Sequence, residues 1–305
     1  MTNKNLLSIA DLTPKEIESL VERAIELKAG IASKALAGRS VVLLFEKPSL
    51  RTRASFDVGI HQLGGYCLYM GGQEVGFGVR EPVADVAKVL SRYVDCIVAR
   101  VNDHASLEEL AQYASVPVIN ALSDWEHPCQ ALADLQTIRE AKGTLKGLTI
   151  AFLGDGNNVA RSLALGVSSV GGNFTIASPK GYELDSATLE QARQRAAEWE
   201  GVVRTTDNVH EAVSGADAVY TDVWVSMGDE TDRSARLKAF QGYTVDPELM
   251  SLAKADAIFM HDMPAHYGEE VAPGMLDHPQ SVVFDQAENR LHAQKAVLEY
   301  LLKPK

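Results

Sequence analysis

Cysteine is scarce in this chain: three in 305 residues, Cys67, Cys96 and Cys129. Their odd number and spacing offer neither a disulfide framework nor a metal-ligand pattern, so buried thiols in a reducing compartment are expected. Long apolar runs are also missing; none approaches the roughly 20 residues of a membrane-spanning helix. The start, Met1-Thr2-Asn3-Lys4 followed by a polar helix-forming stretch, lacks the plan of a signal peptide. Positive charge is in deficit, with 29 Lys and Arg against 41 Asp and Glu and a net charge of −12. That argues against nucleic acid or an acidic membrane surface as the main partner. A phosphorylated small molecule stays open, because its capture depends on local charge. Linkers, internal repeats and low-complexity tracts are absent too, and a soluble cytoplasmic protein is the expectation.

What is present is an apolar content of 46%, ample for a buried core. Strand-like and helix-like segments alternate almost throughout. Strands are expected over Ser40–Phe45, Cys96–Arg100, Val116–Ala121, Leu148–Leu153, Asn173–Ala177, Ala218–Thr221, Ala257–Met260 and Ser281–Phe284. Between them, helices are expected over Leu107–Ala114, Gln130–Ala141, Val159–Val170, Ser186–Glu200 and Gln286–Leu302. Several strands are short and wholly apolar, as in sheets covered by helices on both faces. The reading is an α/β protein of two doubly wound domains, each a mostly parallel sheet flanked by helices. Lys142–Gly147 is the best boundary, giving domains over 1–142 and 147–285, with an active site expected in the cleft between them. The glycine-rich stretch Gly71–Gly78 reads as a mobile loop.

The densest chemical signal is Glu46-Lys47-Pro48-Ser49-Leu50-Arg51-Thr52-Arg53-Ala54-Ser55. It joins the strand-like run Val41–Phe45 to a helix-like one. First-turn amides at a helix start lack partners and carry the positive end of the helix dipole. Adding three cations and two hydroxyls makes a phosphate site. Further polar residues gather where strands end, the usual ligand position in open α/β sheets. Arg100 follows the second strand, and Asp124-Trp125-Glu126-His127-Pro128-Cys129-Gln130 the third. Pro128 suits a first helical position, which puts His127 and Gln130 together at that helix start. Later, Phe152-Leu153-Gly154-Asp155-Gly156-Asn157-Asn158-Val159 invites a dinucleotide reading. Its glycines do not make G-x-G-x-x-G, and no acidic residue closes a following strand, so that reading is set aside. Finally, Thr221–Gly228 places a carboxylate, Asp222, in a loop that also holds Trp224, Ser226 and Met227; a loop carboxylate plus an amide side chain suits a zwitterionic amino acid.

Taken together, Ser49-Leu50-Arg51-Thr52-Arg53, His127-Pro128-Cys129-Gln130, Gly154–Asn158, the Asp222–Gly228 loop and Ala287-Glu288-Asn289-Arg290 resemble the aspartate/ornithine carbamoyltransferase family. The match runs from Glu46 to the Gln286–Leu302 helix, and the Ser-Met-Gly loop is similar to the ornithine branch. The resemblance implies that Ser49, Leu50, Arg51, Thr52 and Arg53 grip the phosphate of carbamoyl phosphate, with Arg290 at the same ligand. It implies that Arg100, His127 and Gln130 polarise the carbamoyl group. Asn158, Asp222, Ser226, Met227, Asp262 and Met263 would hold L-ornithine, with Asp262 also counted among the catalytic residues. It further implies a first domain for carbamoyl phosphate, onto which the helix over 286–302 packs back, and a second for the amino acid. The partners implied are these two substrates and further copies of the chain, as a homotrimer or a multiple of it; no metal or organic cofactor is implied.

Three positions depart from the family pattern. His-Cys-Leu-Pro appears here as His261-Asp262-Met263-Pro264. Leu→Met is nearly volume-neutral. The aspartate puts a carboxylate beside the reacting amine, where it favours the ammonium form or accepts a proton. Gly76 stands where relatives often carry Gln or His, and Tyr267 where bacterial relatives carry Arg. The expected function is transfer of the carbamoyl group to the side-chain amine of ornithine. Alternatives are another acceptor such as lysine, or a non-catalytic ligand-binding relative.

Overall fold

The structure is a computed structural model that describes residues 5–72, 76, 80–225 and 230–302. Most of the glycine-rich loop expected to be mobile, residues 73–75, 77 and 78, lies outside the described residues. Two parallel sheets form the framework. The first has the order β2-β1-β3-β4: β1 Ser40–Phe45, β2 Tyr66–Gly71, β3 Cys96–Arg100 and β4 Val118–Leu122. The second has the order β7-β6-β5-β8-β9: β5 Thr149–Leu153, β6 Asn173–Ala177, β7 Val203–Thr206, β8 Ala218–Thr221 and β9 Ile258–His261. The helices are α1 Pro14–Lys28, α2 Leu50–Gln62, α3 Val83–Leu90, α4 His104–Tyr113, α5 Pro128–Lys142, α6 Asn158–Ser169, α7 Ser186–Ala197, α8 Val209–Val213, α9 Arg233–Ala239, α10 Pro247–Met250 and α11 Val283–Leu302. The two-domain α/β reading therefore holds. By packing, the chain divides into Met1–Gln136 with Glu288–Lys305, and Thr137–Ala287.

In the first unit, Val42, Leu44, Ile97 and Ala99 of the central strands pack with Val86, Leu90, Leu107 and Leu110 of α3 and α4. Side chains fully buried in this way each stabilise by about 1.5–3 kcal/mol relative to exposure. The C-terminal part of α11 is tied to the same unit. Glu299 pairs with Arg23 at 2.7 Å, and Lys295 donates to Gln62 at 2.9 Å. In the second unit, Leu153, Val219 and Phe259 of the sheet pack with Trp224, Phe240 and Val271. No helix among the described residues is long and apolar enough to cross a membrane.

Three expectations need correction. The strand expected over Ser281–Phe284 is only a single bridge, Ser281 beside Phe259, after which α11 begins at Val283. A short apolar run fits a strand and a buried helix start equally well. Conversely, β2 and β7 were not expected. Both are sheet edges with partly exposed residues, and β7 reads Val-Arg-Thr-Thr, so neither shows the apolar run of a strand covered on both faces.

Candidate active site

The C-terminal ends of β1, β3 and β4 lie side by side, because Phe45 is in register with Arg100 and Arg100 with Leu122. Beyond β1, Glu46 is fastened across this edge. Its N–H donates to the Arg100 carbonyl at 2.8 Å, and its carboxylate accepts the Asn102 N–H at 2.6 Å. The chain then enters α2 through Ser49, whose hydroxyl caps the helix by accepting the Thr52 N–H at 3.3 Å. The Ser49 hydroxyl donates to Thr52 Oγ1 at 3.0 Å, and the Arg290 guanidinium donates to the same oxygen at 2.6 Å. With two donors on its oxygen, the Thr52 hydroxyl keeps its own proton for another acceptor. Arg51 and Arg53 follow in the same turn, and the Arg53 guanidinium lies 3.8 Å above the Tyr69 ring. Leu50 offers only its backbone here, its side chain being 81% exposed.

A second set of groups is buried in this unit: Arg100, His127, Gln130 and Arg290. The loop before α5 is shaped by Glu126, which is itself buried. Its carboxylate accepts the Ile9 N–H at 3.0 Å and takes the Ser8 hydroxyl. The His127 carbonyl accepts the Gln130 N–H at 3.0 Å, which closes the first turn of α5. Burial, and then the charges of Arg290 and Arg100, hold the His127 imidazole well below its ordinary pKa. It is therefore neutral near pH 7 and can present one N–H to a carbonyl oxygen. The Gln130 amide donates to Asp134 Oδ1 at 2.8 Å, and its carbonyl oxygen is a buried acceptor that no described residue fills. Arginine forks, a neutral imidazole and an open acceptor suit a ligand with an anionic end, a carbonyl oxygen and an N–H.

His127 also makes stability depend on pH. An unfolded histidine takes up a proton near pH 6.5, whereas folded His127 does so only at much lower pH. Between those values the unfolded chain binds more protons, so stability falls as pH drops below about 6.5 and recovers above it. His127→Asn is expected to flatten this slope in urea unfolding between about pH 7.5 and about pH 5. An unchanged slope in the variant would rule out a neutral buried imidazole.

In the second unit, Leu153 is in register with Thr221, and Thr221 with His261, so the segments leaving β5, β8 and β9 start side by side. After β5, Gly156 packs so tightly that a Cβ there would lie 2.3 Å from the Leu184 nitrogen. Asn157 caps α6, accepting from the Val159 and Ala160 N–H groups, and its amide donates to Asp222 at 2.7 Å. The other Asp222 oxygen accepts the Val223 N–H at 2.6 Å, so the carboxylate is oriented from two sides. Arg236 secures the start of the loop, bonding Asp155 at 2.5 Å and the Trp224 carbonyl at 3.1 Å. Ser226 and Met227, assigned to the amino acid from the sequence, lie outside the described residues.

After β9, His261 Nδ1 accepts the Met263 N–H at 2.8 Å, and Nε2 faces Glu270 Oε1 at 3.2 Å. Met263 takes the left-handed conformation, with φ of 60°, which costs about 1–3 kcal/mol and is offset by these contacts. Asp222, His261 and Asp262 bring ligand atoms within 4.8 Å of one another. Both His261 nitrogens are already engaged, so the group is two carboxylates converging on one space, a geometry suited to an ammonium. Asn157 was not singled out from the sequence, although an Asn-Asn pair at a helix start is itself a capping signal. Gly76, one of the departures, has φ of 53°, in the left-handed region that favours glycine.

Residues 4–140 match the family model described as the carbamoyl-P binding domain of aspartate/ornithine carbamoyltransferase, and residues 146–301 match its Asp/Orn binding domain. The ornithine carbamoyltransferase of Thermococcus kodakarensis is 50% identical over 99% of this chain and 97% of that protein. The solved structure of ornithine carbamoyltransferase from Pyrococcus furiosus superposes with a TM-score of 0.94 at 49% identity, covering 97% of this chain and 96% of that one. The anabolic ornithine carbamoyltransferase of Campylobacter jejuni gives 0.93 at 38% identity, covering 98% of each. The chain belongs to the aspartate/ornithine carbamoyltransferase family.

Proposed function

We propose that this protein transfers the carbamoyl group of carbamoyl phosphate to the side-chain amine of L-ornithine, giving L-citrulline and phosphate. The observation that carries the reading is the joined set in the first unit: Arg290 bonded to Thr52 at the α2 start, beside a buried imidazole kept neutral by burial, Arg290 and Arg100. In this reading the α2 amides, Ser49, Arg51, Thr52 and Arg53 hold the phosphate. Arg100, His127 and Arg290 direct donors at the carbamoyl oxygen, and the Gln130 oxygen accepts from the carbamoyl NH₂. The amine lone pair forms the C–N bond while the carbonyl pair moves onto an oxygen stabilised by those fixed donors. Collapse breaks the C–O bond to phosphate, and the ammonium proton leaves to phosphate or to Asp262. The protein supplies position and charge stabilisation.

On the amino-acid side, Asp222 meets an ammonium, Asn158 and the Ser226-Met227 loop hold the α-amino acid group, and Met263 with Asp262 flanks the reacting amine. A homotrimer or a multiple of it is part of the proposal. Its support is the exposed apolar face of α2, with Leu50 81% and Val58 47% exposed. A cytoplasmic location is proposed on the sparse, unpaired cysteines, all three of which are free.

The test is carbamoyl-phosphate-dependent ureido formation with ornithine, lysine, putrescine and N-acetylornithine side by side. Selective turnover of ornithine is expected. Preference for another amine would reassign the acceptor, and no turnover despite carbamoyl phosphate binding would leave a ligand-binding relative.

A further inference from the structure

Beyond the acceptor half-site, the segment after β9 gathers a second set of groups. His266, Glu269 and Glu270 bring one imidazole nitrogen and two carboxylate oxygens within 4.8 Å of one another. Glu270 is fully buried. Its Oε1 accepts the His266 N–H and faces His261 Nε2 at 3.2 Å. Glu269 Oε1 pairs with Arg233. That leaves Glu270 Oε2, Glu269 Oε2 and His266 Nδ1, all three shielded from solvent and lacking a hydrogen-bond partner among the described residues.

Buried carboxylate lone pairs without a donor are unfavourable. A single shared proton relieves one contact, whereas a divalent cation relieves all three. His266 Nδ1 and Glu269 Oε2 stand 3.8 Å apart. Two ligands each about 2.1 Å from one ion span such a distance at a wide coordination angle. The His266 side chain is 41% exposed, so the rim is open to a water ligand. One imidazole and two carboxylates are the donor types that first-row divalent ions accept.

We propose that His266 Nδ1, Glu269 Oε2 and Glu270 Oε2 form a site for a divalent ion of the zinc type. The ion has a structural role: it holds the 266–270 turn against Arg233. Through the Glu270 contact to His261 it also steadies the end of β9, where Asp262 begins. This site is separate from the Asp222–Asp262 pair, whose neighbouring histidine has both nitrogens engaged.

The test uses the full chain, dialysed against chelator and titrated with Zn²⁺ by calorimetry and with Co²⁺ by visible absorption. One saturable ion per chain is expected, with a Co²⁺ spectrum showing nitrogen and oxygen ligands and a rise in Tm. Glu269→Gln and His266→Gln are expected to weaken binding by on the order of 100-fold or more, since losing a direct ligand costs at least as much as losing an outer-shell partner, which costs about 10–100-fold. Asp262→Asn and Cys67→Ser are expected to bind as the parent does. Because Glu270 is fully buried, the partly exposed Glu269 and His266 are the variants of choice, with circular dichroism to verify their fold. Absence of saturable binding in the parent would overturn the proposal. So would loss of binding in Asp262→Asn or Cys67→Ser with retention in His266→Gln.

Discussion

Arg53→Ala is expected to lower kcat/KM for carbamoyl phosphate by on the order of 10²-fold or more, the loss typical of one preorganised donor on a charge that grows in the transition state. Arg53 is exposed and its guanidinium rests on Tyr69, so alanine removes a charged fork without opening the core. The effect should fall on kcat as well as KM, since the phosphate gains charge as the C–O bond breaks. Arg53→Lys is expected to recover only part of it, because an ammonium keeps the charge and loses the paired N–H geometry. Steady-state rates across carbamoyl phosphate concentrations check this. Parent-like kcat/KM in both Arg51→Ala and Arg53→Ala would mean that the α2 start is not the phosphate grip.

Asp262→Asn is expected to move the pH–rate profile rather than abolish the rate. Only a neutral amine attacks, and a free amine of this kind titrates near the lysine value of about 10.4. In the proposed complex Asp262 favours its ammonium form, and an opposite charge at about 4–6 Å shifts a pKa by about 1–3 units. Removing one carboxylate lowers the amine pKa in the complex. The alkaline rise in kcat should then begin about one unit lower in pH, while KM for ornithine increases at neutral pH. Should kcat instead fall equally at every pH with its midpoint unchanged, Asp262 is the proton acceptor and not the ammonium's counter-ion.

Several parts of this protein were legible in the residues. β1, β3 and β8 carry mostly apolar runs buried on both faces, and their bounds follow from the runs themselves. Ser49 before Leu50 and Pro128 after His127 mark helix starts at strand ends, and both helices begin where these residues place them. The edge strands β2 and β7 could not be read this way, because partial exposure removes the periodic signal. Ser281–Phe284 misled for the opposite reason: a run of three apolar residues has no length with which to tell a strand from a helix start.

The sequence by itself determined which kinds of group are available and in what order they lie along the chain: the cations and hydroxyls of 47–53, the His-Pro-x-Gln turn, and the carboxylates at 222 and 262. Only the tertiary structure decided what those groups become. It set Arg290 on Thr52 across 238 positions, and buried His127 beside two arginines so that its neutral form wins. It turned Asn157 onto Asp222, engaged both nitrogens of His261, and brought carboxylate oxygens of Asp222 and Asp262 within 4.8 Å of each other. The reason is physical. Propensity and capping act over a few residues, whereas protonation and side-chain direction depend on desolvation and on charges brought near by distant parts of the chain.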